Sequence, residues 1–186
     1  MYTLRSRTVT VQTRLENICG STPLIKVSDR VYGKLETFSP TGSVKDRFIS
    51  YSIRKALLRG DINKDTILCE ATSGNTGIAL ASQAAKYGCP CVIVMPRNMS
   101  EQRKQMMRAF GAHIIEVDDN DFQGAIQIRD ELLSESKKKL EVWCPYQFEN
   151  PLNVQCHFKT TAPEIHKQVI DTGLHWHAFV HGAGTG

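Results

Sequence analysis

The sequence predicts an α/β fold: three-layer sandwiches in which a mostly parallel sheet is flanked by helices. From residue 66 onward, short apolar runs alternate with longer amphipathic runs, a pattern typical of parallel strands joined by crossover helices. Several amphipathic runs end at a glycine, as helices often do. In order, these runs predict strands at 66–70, 91–95, 113–117, 141–144 and 178–181, and helices at 77–87, 100–110, 121–136 and, as one or two helices, 153–171.

The residues before 66 predict a smaller element and one more helix. Two short runs at 24–27 and 32–36 follow the turn-forming residues 20–23, which indicates a two-stranded element. An amphipathic run at 48–59 follows a loop rich in proline and glycine, which predicts a helix that begins near residue 45. A length of 186 residues suits one globular domain, or one domain and part of a second.

The composition argues against two classes of protein. The chain has 41% hydrophobic residues, 23% charged residues and a net charge of +4, which is mild for a protein that binds polyanions. The basic run at 137–139 contains no aromatic residue, so a solvated helix face is favoured over a nucleic-acid site. The longest apolar run, at 91–95, is far shorter than a membrane span. We therefore expect a soluble protein with no nucleic-acid or membrane partner.

The cysteine and histidine residues do not predict a metal site. The six cysteines lack zinc-finger spacing and three border apolar runs, which indicates reduced and mostly buried thiols. Cys91 begins the predicted strand at 91–95 and Cys89 lies just before it. Strand alternation would put the histidines at 175, 177 and 181 on one face near the predicted strand at 178–181. For both groups, packing is favoured over metal binding. Residues 1–15 contain arginine without any acidic residue, which weakly resembles an organellar transit peptide, although a floppy arm explains it equally well. The expected location is the cytoplasm.

Lys45 stands where the proline- and glycine-rich loop at 39–44 turns into the predicted helix. The dipole at a helix N-terminus disfavours an ammonium group, and only a neutral amine can attack a carbonyl. An ordinary surface lysine explains this position better when it is taken alone. The residues further along the chain reverse that preference.

Two loops that follow predicted strands could hold anions. Residues 72–77 combine hydroxyl groups, an amide and backbone N–H groups at a helix N-terminus, a combination that can bind a carboxylate or phosphate. The alternative is a plain N-cap by Asn75 or Thr76, although a cap needs only one such residue. Residues 182–186 form a second, glycine-rich loop that could cradle a phosphate, which by itself is weak support.

Taken together, the motifs resemble the cysteine synthase and cystathionine β-synthase family of fold type II pyridoxal-phosphate enzymes, which are similar to the tryptophan synthase β chain. The resemblance runs from about residue 17 to the end of the sequence and consists of seven blocks in order. The blocks are 40–47, 72–77, 95–96 with 99–100 and 103, 111–112, 147–148 with 150–151, 160–161 with 163–164, and 182 with 184–186.

The resemblance implies a site built around pyridoxal 5'-phosphate. Lys45 would be the Schiff-base lysine and Asn75 the partner of the cofactor's ring hydroxyl. The residues implied to bind the carboxylate of the amino-acid substrate are Thr72, Ser73, Thr76 and Gln147. Those implied to bind the cofactor phosphate are Gly182, Gly184, Thr185 and Gly186.

The implied reaction is β-replacement on an activated serine, O-acetylserine or O-phosphoserine, with sulfide or a thiol, which makes cysteine. The open alternatives are cystathionine β-synthase activity, β-elimination as in a cysteine desulfhydrase, and a truncated, non-catalytic chain that binds a partner. The resemblance also implies a homodimer. Three residues depart from the family pattern without touching the cofactor, namely Ser39, Gln102 and Ala162.

The end of the sequence bears on the predicted domains. A phosphate loop works best when a helix follows it, and no residue follows Gly186. We expect an N-terminal α/β domain at 36–150 that carries Lys45 and the carboxylate loop, and an incomplete, truncated second domain from 1–35 and 151–186. Whether the 186 residues are active alone stays open.

Overall fold

The computed structural model describes residues 19–136 and 141–182, which form six strands and six helices with two short turns of other helical type. The strands are β1 (Leu24–Ser28), β2 (Val31–Lys34), β3 (Ile67–Ala71), β4 (Cys91–Pro96), β5 (His113–Val117) and β6 (Val142–Trp143). The helices are α1 (Lys45–Arg59), α2 (Asn75–Tyr87), α3 (Glu101–Ala109), α4 (Phe122–Ser136), α5 (Leu152–Cys156) and α6 (Ala162–Asp171), with a 3₁₀ turn at Glu36–Phe38 and a π-helical turn at His157–Thr161.

The strands form two sheets. β1 and β2 pair as an antiparallel hairpin in which Leu24 lies opposite Lys34, as the sequence predicts. The other four strands form a sheet in the order β5-β4-β3-β6, and every neighbouring pair in it is parallel. The predicted fold class is therefore confirmed.

Helices cover both faces of the four-stranded sheet because its strands are apolar on both sides. Along β4, Ile93 and Met95 belong to a core formed with residues of α1, α2 and α3. Val94, between them, belongs to a second core with Ala125 of α4. Successive side chains of a strand point to opposite faces, so these two cores make the three layers that the sequence predicts.

A buried ion network ties α1 to β2 and α6. The Arg47 side chain, only 2% exposed, donates to Glu36 at 2.7 Å and to Glu164 at 2.9 Å. Lys34 of β2 pairs with the same Glu164 and donates to Gln168 at 2.8 Å. Arg47, two residues after Lys45, is thus held by contacts with segments that are distant in the sequence.

One predicted strand is wrong. Residues 178–181 have no strand structure, and Phe179 and Val180 are 65% and 90% exposed. A strand needs a neighbour for its backbone hydrogen bonds, and none of the described strands pairs with this segment. Histidines 175, 177 and 181 therefore do not share a strand face.

The cysteines agree with the sequence prediction. All six are free, and five are buried. Burial raises the pKa of the Cys69 and Cys91 thiols to about 12, so both thiols are protonated near neutral pH.

Within 19–136 and 141–182, no cluster of three His, Cys, Asp or Glu residues could hold a metal ion, and no helix is long and apolar enough to cross a membrane. The basic run at 137–139 and the arm at 1–15 lie outside the described residues.

Candidate active site

The strand order places two loops side by side. The chain passes from β3 to β4 and β5 on one side, and then returns through α4 to β6 on the other side of β3. Open parallel sheets bind ligands at the carboxyl ends of their strands, at the point where the direction of winding changes. In this sheet that point lies between β3 and β6, so the loops after these two strands are the candidate site.

Lys45 is the first residue of α1 and is half-buried. Its backbone N–H donates to the Ser43 hydroxyl at 3.3 Å. Burial lowers the pKa of the Lys45 amine, because a charged group loses hydration when it leaves water. The direction agrees with the sequence argument, which invoked the helix dipole, but the cause is desolvation.

The loop before Lys45 is held by a buried carboxylate. Asp46 is fully buried and accepts hydrogen bonds from the Thr41 backbone N–H and hydroxyl, each at 2.9 Å. Gly42 has a φ of +81°, a left-handed conformation that favours glycine. The chain therefore has a defined path into the first turn of α1.

The loop after β3 is the predicted carboxylate loop. Thr72 is buried, and its backbone N–H donates to the Val94 carbonyl at 3.0 Å. Gly74 is the N-cap of α2 and no side chain caps the helix, so the alternative of an ordinary cap by Asn75 or Thr76 is wrong. Ser73 is half-buried, and Asn75 is exposed as the first residue of α2.

Thr76 and Gln147 meet between the two loops. The Thr76 hydroxyl donates to Gln147 Oε1 at 2.5 Å, although 71 positions separate them in the sequence. Both residues are buried, with 2% and 5% exposure. The structure therefore brings together two of the four side chains predicted to bind a substrate carboxylate.

Three residues that support these loops were not among the predicted site residues. Arg103 Nη1 donates to the Ser73 carbonyl at 3.3 Å. A Cβ on Gly77 would lie 2.8 Å from Met107 Cε and 2.9 Å from Thr72 Cγ2, so a larger residue would force these side chains to shift. Glu70, at the end of β3, is fully buried. A glutamate inside an otherwise apolar run was the one available signal for Glu70.

The predicted phosphate loop is described only at its first residue. Gly182 is exposed, with no atom within 4 Å of a Cβ built on it. Gly184, Thr185 and Gly186 lie outside the described residues. The other predicted site residues, namely Lys45, Thr72, Ser73, Asn75, Thr76 and Gln147, all lie in the described part of the chain.

Comparison with known proteins identifies the family. The family described as pyridoxal-phosphate dependent enzymes matches residues 15–186. The chain belongs to this family. Cysteine synthase B of Escherichia coli is 42% identical over 92% of this chain and 57% of its own length. The O-acetylserine dependent cystathionine β-synthase of Bacillus subtilis is 38% identical over 96% of this chain and 59% of its own length.

A solved structure shares the fold as well as the sequence. The crystal structure of a hydrogen sulfide-producing enzyme from Fusobacterium nucleatum has a TM-score of 0.78 and 37% identity, over 86% of this chain and 55% of that one. The chain thus spans little more than half the length of these relatives.

The Lys45 amine has the property that the family's cofactor requires. Pyridoxal phosphate is an aldehyde, and a lysine attacks an aldehyde only in its neutral form. Half-burial of Lys45 lowers the pKa of its amine, which favours that form. The buried hydroxyl and amide groups of Thr72, Thr76 and Gln147 are suited to bind an anionic group of an amino acid.

Proposed function

We propose that this protein catalyses pyridoxal-phosphate-dependent β-replacement on an activated serine, O-acetylserine or O-phosphoserine, with sulfide or a thiol, and so makes cysteine. The observation that carries the proposal is the contact between Thr76 and Gln147 at the carboxyl ends of β3 and β6. The contact supports the proposal because it joins two buried polar side chains that we assign to the carboxylate of the amino-acid substrate.

Lys45 is the residue that moves a proton. Bound pyridoxal phosphate supplies an electron sink for the charge that develops at the substrate's α-carbon. Lys45 Nζ takes the α-proton as a general base, which requires the neutral amine. The lowered pKa of Lys45 makes that form more abundant near neutral pH.

The loops bind and orient the substrate. We assign Thr72, Ser73, Thr76 and Gln147 to the substrate carboxylate, with backbone N–H groups near the start of α2 as further donors. Closure of the 72–76 loop on the carboxylate would exclude water from the reacting atoms. Asn75 is assigned to the ring hydroxyl of the cofactor.

The remaining assignments also belong to the proposal. Gly182, Gly184, Thr185 and Gly186 bind the cofactor phosphate. Residues 36–150 form one domain, while 1–35 and 151–186 contribute to a second. The protein acts as a homodimer in the cytoplasm. The family of pyridoxal-phosphate dependent enzymes, to which the chain belongs, supports these assignments.

Two relatives favour a second candidate activity. One is a cystathionine β-synthase that depends on O-acetylserine, and another produces hydrogen sulfide. Proton removal by Lys45 serves both alternatives. Cystathionine synthesis differs from cysteine synthesis in the sulfur compound that adds, and net elimination differs in that none adds. Homocysteine as acceptor, or net elimination, is therefore the alternative to cysteine formation.

The test is an assay of the full chain with pyridoxal phosphate, each activated serine in turn, and sulfide. We expect cysteine to form, and Lys45→Ala to lower the rate about 10²- to 10⁴-fold, as for loss of a general base. Lys64→Ala is the matched control, since Lys64 is exposed and lies beyond α1. Formation of pyruvate without cysteine would show elimination in place of β-replacement. An unchanged rate in Lys45→Ala would reject the proposed role of Lys45.

A further inference from the structure

Glu70 is a buried carboxylate that lies next to the proposed substrate site. It is the penultimate residue of β3, two positions before Thr72, and none of its surface is exposed. A buried charge is unfavourable unless it is paired and hydrogen-bonded. Its partners therefore indicate why it is tolerated.

The two oxygens of Glu70 join three segments of the chain. Oε1 accepts the Ala71 N–H at 3.0 Å and lies 3.5 Å from Arg129 Nη1 of α4. Oε2 accepts the backbone N–H of Gln147 at 3.1 Å. One carboxylate thus connects the end of β3, the helix beneath the sheet and the loop after β6.

The residue before Gln147 has a backbone conformation that needs support. Tyr146 has a φ of +51°, which is uncommon for a residue with a side chain. Its N–H donates to Cys144 Sγ at 3.4 Å, and the Arg129 guanidinium lies 4.9 Å from the centre of its ring. Arg129 therefore contacts both Glu70 and the turn that presents Gln147.

Two further contacts hold the carbonyl and the side-chain oxygen of Gln147. Its carbonyl accepts the Asn153 side-chain amide at 3.1 Å, and its side-chain oxygen accepts the Thr76 hydroxyl. With the backbone held by Glu70 and Asn153, the side-chain Nε2 is left to donate to a ligand.

We propose that Glu70 is a positioning residue for substrate binding: its carboxylate fixes the main chain at Gln147 and so sets the Gln147 amide against Thr76. Arg129 neutralises the Glu70 charge, which would otherwise repel a substrate carboxylate. The inference rests on the proposed function, because it assigns Gln147 to that carboxylate.

The first test compares Glu70→Gln with wild type. A glutamine places an NH₂ group where one carboxylate oxygen lay, so it faces either the Gln147 N–H or Arg129, both of which are donors. We expect the KM for O-acetylserine to rise about 10-fold, as for loss of a charge-assisted hydrogen bond, with a smaller change in kcat. Attachment of pyridoxal phosphate to Lys45 should persist.

A matched control removes a carboxylate from the same sheet but away from these loops. Glu116 of β5 pairs with Lys104 at 2.8 Å. Glu116→Gln changes the net charge by the same amount and should leave the KM unchanged. A KM that rises equally in both variants, or in neither, overturns the proposal.

The second test needs no cofactor. The amide of Gln147 should resist hydrogen exchange in the wild-type chain and lose that protection in Glu70→Gln, while amides of α1 and α4 keep theirs. Rapid exchange of the Gln147 amide in wild type overturns the proposal even if Glu70→Gln does not fold. Glu70→Asp, which keeps the charge but shortens the side chain, should reproduce the rise in KM.

The two tests separate this proposal from the proposed function. If wild type attaches no pyridoxal phosphate at Lys45, the proposed function fails, whereas the exchange of the Gln147 amide still decides whether Glu70 holds that residue. If Lys45 is labelled and Glu70→Gln keeps the wild-type KM, only the positioning role fails.

Discussion

At the scale of single residues, the Lys45 amine combines partial burial with a fixed backbone position. Residues 41–44 lead into α1 through contacts with Asp46, and Lys45 is the first helical residue. Desolvation lowers its pKa from the ordinary value of 10.5. A lysine in this state carries a larger neutral fraction at a given pH, which is the property needed for attack on an aldehyde.

The reactivity of Lys45 should therefore depend on pH differently from that of a free lysine. Because its pKa is lowered, the rate of acetylation by acetic anhydride should rise at lower pH than for a lysine in a model peptide. Competitive labelling across the alkaline range, followed by mass spectrometry of the peptide that contains Lys45, measures this. A profile that coincides with the model peptide's would show that burial does not perturb the amine.

A larger residue at Gly77 should destabilise the fold. In Gly77→Ala the added methyl group meets Met107 and Thr72 below 3.0 Å, and overpacking of this kind destabilises by about 1–3 kcal/mol. Urea unfolding of the variant measures the loss. Ala85→Ser, at an exposed position of the same helix, is the control and should stay within about 0.5 kcal/mol of wild type.

At the scale of elements, local sequence patterns predicted most helices and strands, and the errors have identifiable causes. The segment at 178–181 has the alternation of a strand, but strand formation requires a pairing partner that the pattern does not report. The run at 153–171 was predicted as one or two helices, and a π-helical turn at His157–Thr161 separates α5 from α6. There the Thr160 hydroxyl donates to the Cys156 carbonyl at 2.7 Å, a local bond that competes with regular helix geometry.

The ion network between α1 and α6 should make stability depend on acid pH. Burial alone would raise the pKa of Glu164, but hydrogen bonds from Arg47 and Lys34 lower it to about 2, against an ordinary value of 4.5. The unfolded state then binds more protons than the folded state in this interval. The stabilisation by Glu164 should be fully present above pH 4.5 and decrease as the pH falls toward 2.

Urea unfolding of wild type and Glu164→Gln as a function of pH tests this network. The difference in unfolding free energy should be large at neutral pH and shrink through the acid interval. Asp171→Asn removes an exposed partner of Lys167 on the same helix and should have little effect at any pH. A difference for Glu164→Gln that does not vary with pH would contradict the assigned pKa.

At the scale of the whole molecule, the parallel sheet could be predicted from sequence, whereas its strand order could not. Alternating strand and helix patterns indicate parallel strands, but they do not say that β6 pairs with β3. That pairing brings Gln147 to Thr76 and to Glu70. The family resemblance implied that Thr76 and Gln147 bind the same carboxylate, but not that they contact each other. Nothing local in the sequence indicated that Glu70 supports Gln147.

The most direct test of the role of Lys45 is to find which lysine carries the cofactor. The full chain is mixed with pyridoxal phosphate, reduced with borohydride, digested and mapped by mass spectrometry. We expect a pyridoxyl group on Lys45 in wild type and in Lys64→Ala, and its loss in Lys45→Ala. A label on another lysine, or a Lys45→Ala variant that is labelled as fully as wild type, would contradict the assignment on which the proposed function depends.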